Sequence, residues 1–342
     1  MAGAVLVFSF VVGGSWWYAV SGTGRHAVAT TEPPSVAVTS TVSVPTLAPR
    51  VLDGVLVPPE EAALPAYAVM IDNQADARPQ SALSQASVVF EVPVEGGLTR
   101  YMAIFDATST ASEVGPVRSA RPYFVEIADG MNAVYGHVGG SDEALDLAKA
   151  LPGFKDINEF YNGGTFWRSN RRSAPHNVYT SIASLRGLAE KKTWAVPAET
   201  AWKFLAADAT STVPIPPKSA VVDYPAVPTI HWTFDPEIHG YRRFLEKTPQ
   251  KDADGREVLA ANVLVLETDG KTIDDYGRLK VRTTGSGKLT LYRDGDVLNG
   301  VWRRAQGEPF RFETDGGTDL RLRPGPIWIQ VVTKPQPSPA SP

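Results

Sequence analysis

The order of elements predicts a two-part fold: an α+β or α/β N-terminal domain with a mixed sheet over residues 64–208, then a smaller, mostly antiparallel all-β domain over 220–333. Three observations carry this. Strand-like apolar runs alternate with capped, amphipathic helix-like runs as far as Lys192. The Pro-rich stretch STVPIPPKSAVVDYPAVP then breaks the pattern. After it come only short β alternations, among them VPTIHWTF, GYRRFLE, NVLVLE, KLTLYRDGDVLNGVWRR and PIWIQVV.

Composition sets bounds on function. The 342 residues carry a net charge of −4, so no overall attraction to nucleic acid or to an anionic membrane is expected, and any anion binding is local. Cysteine is absent, which excludes disulfides, thiolate catalysis, cysteine metal sites and a lipid-bearing cysteine. The five histidines are scattered without an HExxH pair, so no zinc site is read from them. Ser119, Ser141, His137 and His176 lack the spacing of a nucleophile elbow, and no catalytic triad is read from them.

Residues 1–21 are expected to be a transmembrane anchor or a signal peptide. The run AGAVLVFSFVVGGSWWYAV carries no charge and approaches the roughly 20 residues that span a bilayer. Trp16, Trp17 and Tyr18 suit an interfacial belt, whereas Ala19 and Ser21 suit cleavage. The positive flank usual ahead of such a run is missing, which leaves room for a start upstream of Met1. The uncleaved anchor is preferred: a single-pass cell-membrane protein with its domains outside, or a secreted one if the segment is removed. Residues 22–50, rich in Ser, Thr and Pro, read as a disordered stalk, and residues 334–342 as a disordered tail.

The first strand, Tyr67 to Asn73, ends in Asp72-Asn73, and a loop carrying Arg78 follows. An Asx turn is the commoner reason for that aspartate. Val88 to Val94 alternates as a second strand, and Gly96-Gly97 has the form of a two-residue hairpin loop. Such a loop places Pro93 opposite Arg100 and Glu91 opposite Met102. Arg100 then shares a face with Glu91 and Glu95, while Val92, Val94, Tyr101, Ala103 and Phe105 form the core face.

The next segment, GPVRSARP, leads into the helix-like run PYFVEIAD, which stops at Gly130. Proline favours the first helical position, so Ser119 and Arg121 belong at a helix N-terminus. Free N–H groups beside guanidinium groups make a seat for phosphate or carboxylate. The strand NAVYGHVGG carries His137, and Ser141 then caps DEALDLAKAL, giving a second such seat without the lysine or spacing of a P-loop. Arg168, Arg171, Arg172, His176 and Asn177 lie in a long aperiodic loop, which reads equally as a functional lid or a solvated surface. TSIASLRGLAEKK, capped by Thr180 or Ser181, and AETAWKFLA read as helices. In the β half, Asp294-Gly295 and Asp315-Gly316 mark turns, and Trp232, Trp302 and Trp328 read as core.

The candidate binding residues are therefore Arg78, Arg100, Arg118, Ser119, Arg121, His137, Ser141, Arg168, Arg172, His176 and Asn177. Glu91 and Glu95 are the candidate catalytic carboxylates; they would align Arg100, act as acid and base, or hold a divalent cation such as Mg²⁺. The cofactor is otherwise undetermined.

The runs AVMIDNQADARPQSALSQASVVFEVPVEGGLTRYMAIF, VGPVRSARPYF, HVGGS and APHNVYT resemble the YerB-like bacterial envelope lipoproteins, a family of unknown function. The likeness covers most of residues 64–190, and NVLVLE with DGDVLNGVW and RLRPGPIWIQVV resembles that family's C-terminal domain. It implies an extracytoplasmic protein of two domains. The family's anchoring cysteine is absent, so a transmembrane anchor would replace the lipid. A weaker likeness, to the LytR-CpsA-Psr phosphotransferases, rests on Thr99-Arg100, the Arg118-Ser119 turn and Gly139-Gly140, which in that family cradle a lipid pyrophosphate. No aspartate follows Arg100 or Arg121, as that family's metal-assisted transfer requires. The expected function is binding of a cell-wall glycopolymer or envelope protein through an arginine cleft. The alternative is an enzyme acting on a phosphorylated or glycosidic cell-wall substrate.

Overall fold

A computed structural model of the chain describes residues 46–209 and 216–335. The expected anchor or signal at 1–21, the stalk as far as residue 45 and the tail beyond residue 335 lie outside the described residues. Among the described residues no helix is long and apolar enough to cross a membrane.

The N-terminal half supplies strands β1 (Ala66–Asp72), β2 (Val88–Pro93), β3 (Thr99–Asp106), β4 (Val134–His137) and β5 (Lys155–Asn158). Its helices are α1 (Pro122–Gly130), α2 (Asp142–Ala150) and α3 (Ile182–Lys191). They start where cap chemistry predicts. Pro122 opens α1, and the Ser141 and Ser181 hydroxyls accept from the N–H groups of Ala144 and Ser184 at 3.4 and 3.1 Å. The helix expected in AETAWKFLA does not form. Lys203–Phe204 pairs in parallel with Arg321–Leu322, and Trp202 stacks on Phe312 while its Nε1 donates to Phe310 O at 2.9 Å. Tertiary packing outweighs the weak propensity of so short a run.

The C-terminal half contributes β6 (Ala220–Tyr224), β7 (Val227–Asp235), β8 (Gly240–Leu245), β9 (Asn262–Thr272) and β10 (Leu279–Val281). It continues with β11 (Gly285–Arg293), β12 (Asp296–Arg304), β13 (Arg311–Glu313) and β14 (Ile327–Pro335). Pairing among these strands is antiparallel except between β9 and β14. The Asp294-Gly295 turn, at φ +55° and +74°, joins β11 to β12.

The two halves share one mixed sheet, ordered β13-β12-β11-β9-β14-β2-β3-β1-β4-β5, with β10 appended to β9. The last strand, β14, lies in parallel beside β2, with Ile327 opposite Val88 and Gln330 opposite Glu91. On one face of the sheet, α1 and α2 cover Phe90, Val92, Met102 and Trp302. On the other, α3 and the smaller sheet of β6, β7 and β8 cover Val89, Tyr101, Ala103 and Phe105. Trp232, Trp302 and Trp328 are fully buried in these cores.

Two expected boundaries move. Arg50 pairs with Asp53 at 2.7 Å and with Asp106 at 3.0 Å, so its ion pairs fold it in well ahead of Leu64 and the stalk ends before it. At the other end Lys334 lies in β14 and pairs with Glu267, which removes it from the tail.

The hairpin register also differs by one. Val94 N–H donates to Leu98 O at 2.8 Å, so the loop is Glu95-Gly96-Gly97, three residues rather than two. Both glycines take positive φ, +70° and +74°, as the turn demands. Arg100 therefore faces Val92, and Tyr101 faces Glu91. Arg100 leaves the sheet on the α1 face and Glu91 on the opposite one, which overturns the expectation that they share a face.

Candidate functional site

The parallel neighbours β1 and β4 pair only over Tyr67–Val69 and Val134–Gly136. Past Val69 they part, and the strap Gly115–Ala120 enters the gap. Ile71 bridges Val117, Ala120 bridges Gly140, and Arg118 N–H donates to Met70 O at 3.0 Å. A crevice at the carboxyl ends of parallel strands is where open sheets commonly hold ligands. The strap delivers Arg118, Ser119 and Arg121 to this crevice, and Arg121 and Ser141 are the N-caps of α1 and α2.

The resulting cleft has a volume of about 620 Å³ and is lined by Asp72, Glu95, Arg100, Arg118, Arg121 and Arg278, among others. Three of its four arginines have carboxylate partners. Arg118 Nε lies 3.0 Å from Asp72 Oδ2, an ion pair without hydrogen-bond alignment. Arg121 grips Glu95 in a fork, Nε to Oε1 at 2.5 Å and Nη2 to Oε2 at 2.9 Å. Burial pushes the Glu95 carboxyl up, but the Arg121 fork and nearby Arg100 hold it below the usual carboxylate range. Arg278 pairs with Asp274 and, at 3.1 Å, with Glu143.

Arg100 is the exception. It is 5% exposed and, among the described residues, has no carboxylate partner. Its Nη1 donates to Ser119 O at 2.6 Å and Ser119 Oγ at 3.2 Å, while its Nε has no acceptor. Ser119 Oγ also accepts from Arg121 Nη1 at 3.1 Å. Burial, with the Arg121 charge added, pushes the Arg100 guanidinium down to about 10. An anion entering the cleft would supply the missing counter-charge.

Of the predicted residues, the fold brings Glu95, Arg100, Arg118, Ser119, Arg121 and Ser141 to the cleft. His176 stands beside it, its Nδ1 2.6 Å from Asp72 Oδ2. The rest have other work. Glu91 is fully buried on the far face, accepting from Thr99 Oγ1 at 2.7 Å and Asn73 Nδ2 at 3.2 Å, and pairs at 2.7 Å with Arg243 from β8. It is a joint between the two sheets, and its expected place in the site is withdrawn. His137 is buried, with Nδ1 2.7 Å from Gly139 O and Nε2 2.6 Å from Asp156 Oδ1. Arg78 donates to Asn73, and Arg172 clamps the carbonyls of Asp76, Arg78 and Pro79. Arg168 is exposed, 3.2 Å from both Glu159 and Asn177. None of these five residues, nor Asn177, lines the cleft.

Two contributions were missed. Asp72 does form an Asx turn, accepting from Gln74 N–H at 3.1 Å, but its second oxygen serves the cleft. Tyr276 and Arg278 come from the turn between β9 and β10, where only an exposed aromatic followed by an arginine signalled them. Among the described residues no group of three or more His, Asp or Glu side chains is placed to hold a metal ion.

The fold and site define a class of protein in which both halves share one mixed sheet and an arginine-bearing strap fills the gap between two of its strands. Residues 52–195 match the family described as "Protein of unknown function (DUF3048) N-terminal domain", and residues 220–329 match its C-terminal domain. The chain belongs to this family. It is 32% identical over 271 residues to "Putative lipoprotein YerB" of Bacillus subtilis (strain 168), a match covering 78% of this chain and 80% of that one. The crystal structure of YerB from Bacillus subtilis superposes with a TM-score of 0.73 at 29% identity, covering 83% of this chain and 96% of the other. The resemblance to the YerB-like family read from the sequence is thus borne out.

Proposed function

We propose that this is an extracytoplasmic, membrane-tethered envelope protein whose arginine cleft binds an anionic group on a cell-wall polymer or envelope partner. Tethering is supported by the name of the Bacillus relative, "Putative lipoprotein YerB", and by the apolar run at residues 2–20. The observation that carries the binding reading is Arg100, a buried guanidinium without a carboxylate, open to a cleft that Arg118, Arg121 and two helix N-termini also line. The test is calorimetric titration of the purified chain with inorganic phosphate and with fractionated anionic cell-wall polymers. Binding that weakens tenfold or more in Arg118→Ala is expected. Equal binding by wild type and variant, or none to any anionic fraction, refutes the reading.

A second reading, an enzyme acting on a phosphorylated or glycosidic cell-wall substrate, is favoured by one contact. Asp72 at the cleft edge is held by both His176 and Arg118, an arrangement that suits proton transfer. Product formation that is lost in Asp72→Asn with binding retained would establish it.

A further inference from the structure

Two more cavities continue from the arginine cleft along the seam between α1 and the β9–β10 hairpin. The first, about 300 Å³, shares Arg121, Ser141 and Arg278 with the cleft. Its remaining wall is largely apolar, built by Pro122, Tyr123, Ile273, Leu279 and Val281, and also bears Glu126, Lys280 and Glu143, the last paired with Arg278. The second, about 310 Å³, shares Glu126, Lys280 and Val281 with the first and has Lys271 on its wall. Shared walls make the three cavities one groove.

The far end of the groove carries an unbalanced charge. Lys271 and Lys280 sit directly opposite each other across the β9–β10 pair. Among the described residues neither has an ion-pair partner, whereas neighbouring Arg282 is paired to Asp269 at 2.7 Å. Like charges so placed destabilise a strand pair. An anion between them reverses the sign of that interaction. The groove thus runs from unneutralised Arg100, past an apolar wall, to an unneutralised lysine pair. Arg100 lines the first cavity and Lys271 the last, and the linings of those two cavities share no residue, so a single small anion does not serve both ends.

We propose that the occupant is a linear phosphodiester polymer of polyol units. One phosphate sits in the arginine cleft, an uncharged carbon segment lies on the apolar wall, and a further phosphate lies at Lys271 and Lys280. Continuous polyphosphate would set charge against Tyr123 and Leu279, and a neutral glycan would leave both cationic ends unmet. This inference rests on the anion-binding reading of the cleft and names the ligand class.

The test titrates the full chain at fixed salt with glycerol phosphate and with oligo(glycerol phosphate) of increasing length. Affinity should rise with length until the oligomer spans the groove. In a Lys271→Ala/Lys280→Ala double variant that rise should shrink about tenfold, the scale of two exposed ion pairs, whereas Arg118→Ala should weaken every length. Both lysines are exposed, so the variant keeps its core. Oligomers no tighter than the monomer, or an unchanged rise in the double variant, overturn this inference and leave the cleft reading standing. Tighter binding of a phosphate carrying a hydrocarbon chain, insensitive to the lysines, also overturns it in favour of an amphiphile. Failure of inorganic phosphate and every oligomer to bind overturns both.

Discussion

Replacing Arg100 by Met should leave the stability of the unliganded protein nearly unchanged and make it unable to bind phosphate. The magnitude follows from two opposing effects. The drop of the guanidinium to about 10 corresponds to roughly 3 kcal/mol against the charged form in the folded state. The substitution removes that cost, and Met fills an irregular site well. It also removes the two bonds that the charged Nη1 donates to Ser119, worth about 1.5 kcal/mol each at the low end for a charged donor. The two effects cancel to within about 1 kcal/mol, or about 2 °C in Tm for a protein of this size. Below pH 10 the wild type carries the cost in full. As pH rises through about 10 the folded state loses the proton while the unfolded chain keeps it, so wild-type stability rises relative to that of the variant. Calorimetry with and without inorganic phosphate reads both consequences. At a hundredfold excess over Kd the ligand should stabilise the wild type by about 2.7 kcal/mol and the variant not at all. A variant destabilised by more than about 2 kcal/mol, beside a wild type indifferent to phosphate, would show Arg100 to be a structural cation.

Glu91→Gln should cost about 3–5 kcal/mol in urea denaturation, because it strands Arg243 in a fully buried site; a loss below about 1 kcal/mol would contradict the role of the pair as a joint between sheets. Glu95→Gln should instead tighten phosphate binding about threefold by releasing Arg121, with a stability loss under about 1 kcal/mol. Because the Glu95 carboxyl is held below its ordinary range, its contribution is complete above that range and is lost only as pH falls through the lowered value. An acid-denaturation difference between Glu95→Gln and wild type should therefore close at low pH, and a difference that persists there would contradict the pairing.

What was legible in the sequence was local. Pro122, Ser141 and Ser181 announced the helix starts through cap chemistry that acts within one turn. The strand alternations of the β half and the Asp294-Gly295 turn were equally readable. The hairpin after Val94 was not, because two positive-φ glycines suit a two-residue and a three-residue loop alike, and one hydrogen bond from Val94 to Leu98 decides between them. That single residue exchanged the faces of Glu91 and Arg100. The partner of Glu91 lies 152 residues on, and the partners of Arg172 are backbone carbonyls, which no side-chain pattern displays. The joining of both halves into one sheet depends on β14 returning beside β2, a long-range pairing with no local signature.

Arg100 and Arg243 make the case for the cleft by contrast. Both are deeply buried, against opposite faces of the same hairpin, so burial disfavours the charge of each. Arg243 is compensated: Glu91 and Tyr101 outweigh the burial and raise its guanidinium above the ordinary value. The rings of Trp328, Tyr101 and Trp232 lie 4.9, 5.7 and 5.7 Å from it, beside an Nε and an Nη1 that have no hydrogen-bond acceptor among the described residues. Arg100 has only the oxygens of Ser119, and further cations at Arg121 and Arg118 add to its deficit. Lack of a carboxylate alone does not mark a site: Arg304, 4% exposed, donates to Thr283 and to the Glu126 carbonyl in the same way. What sets Arg100 apart is its place on the wall of an open cleft, where the proposed anion would meet it.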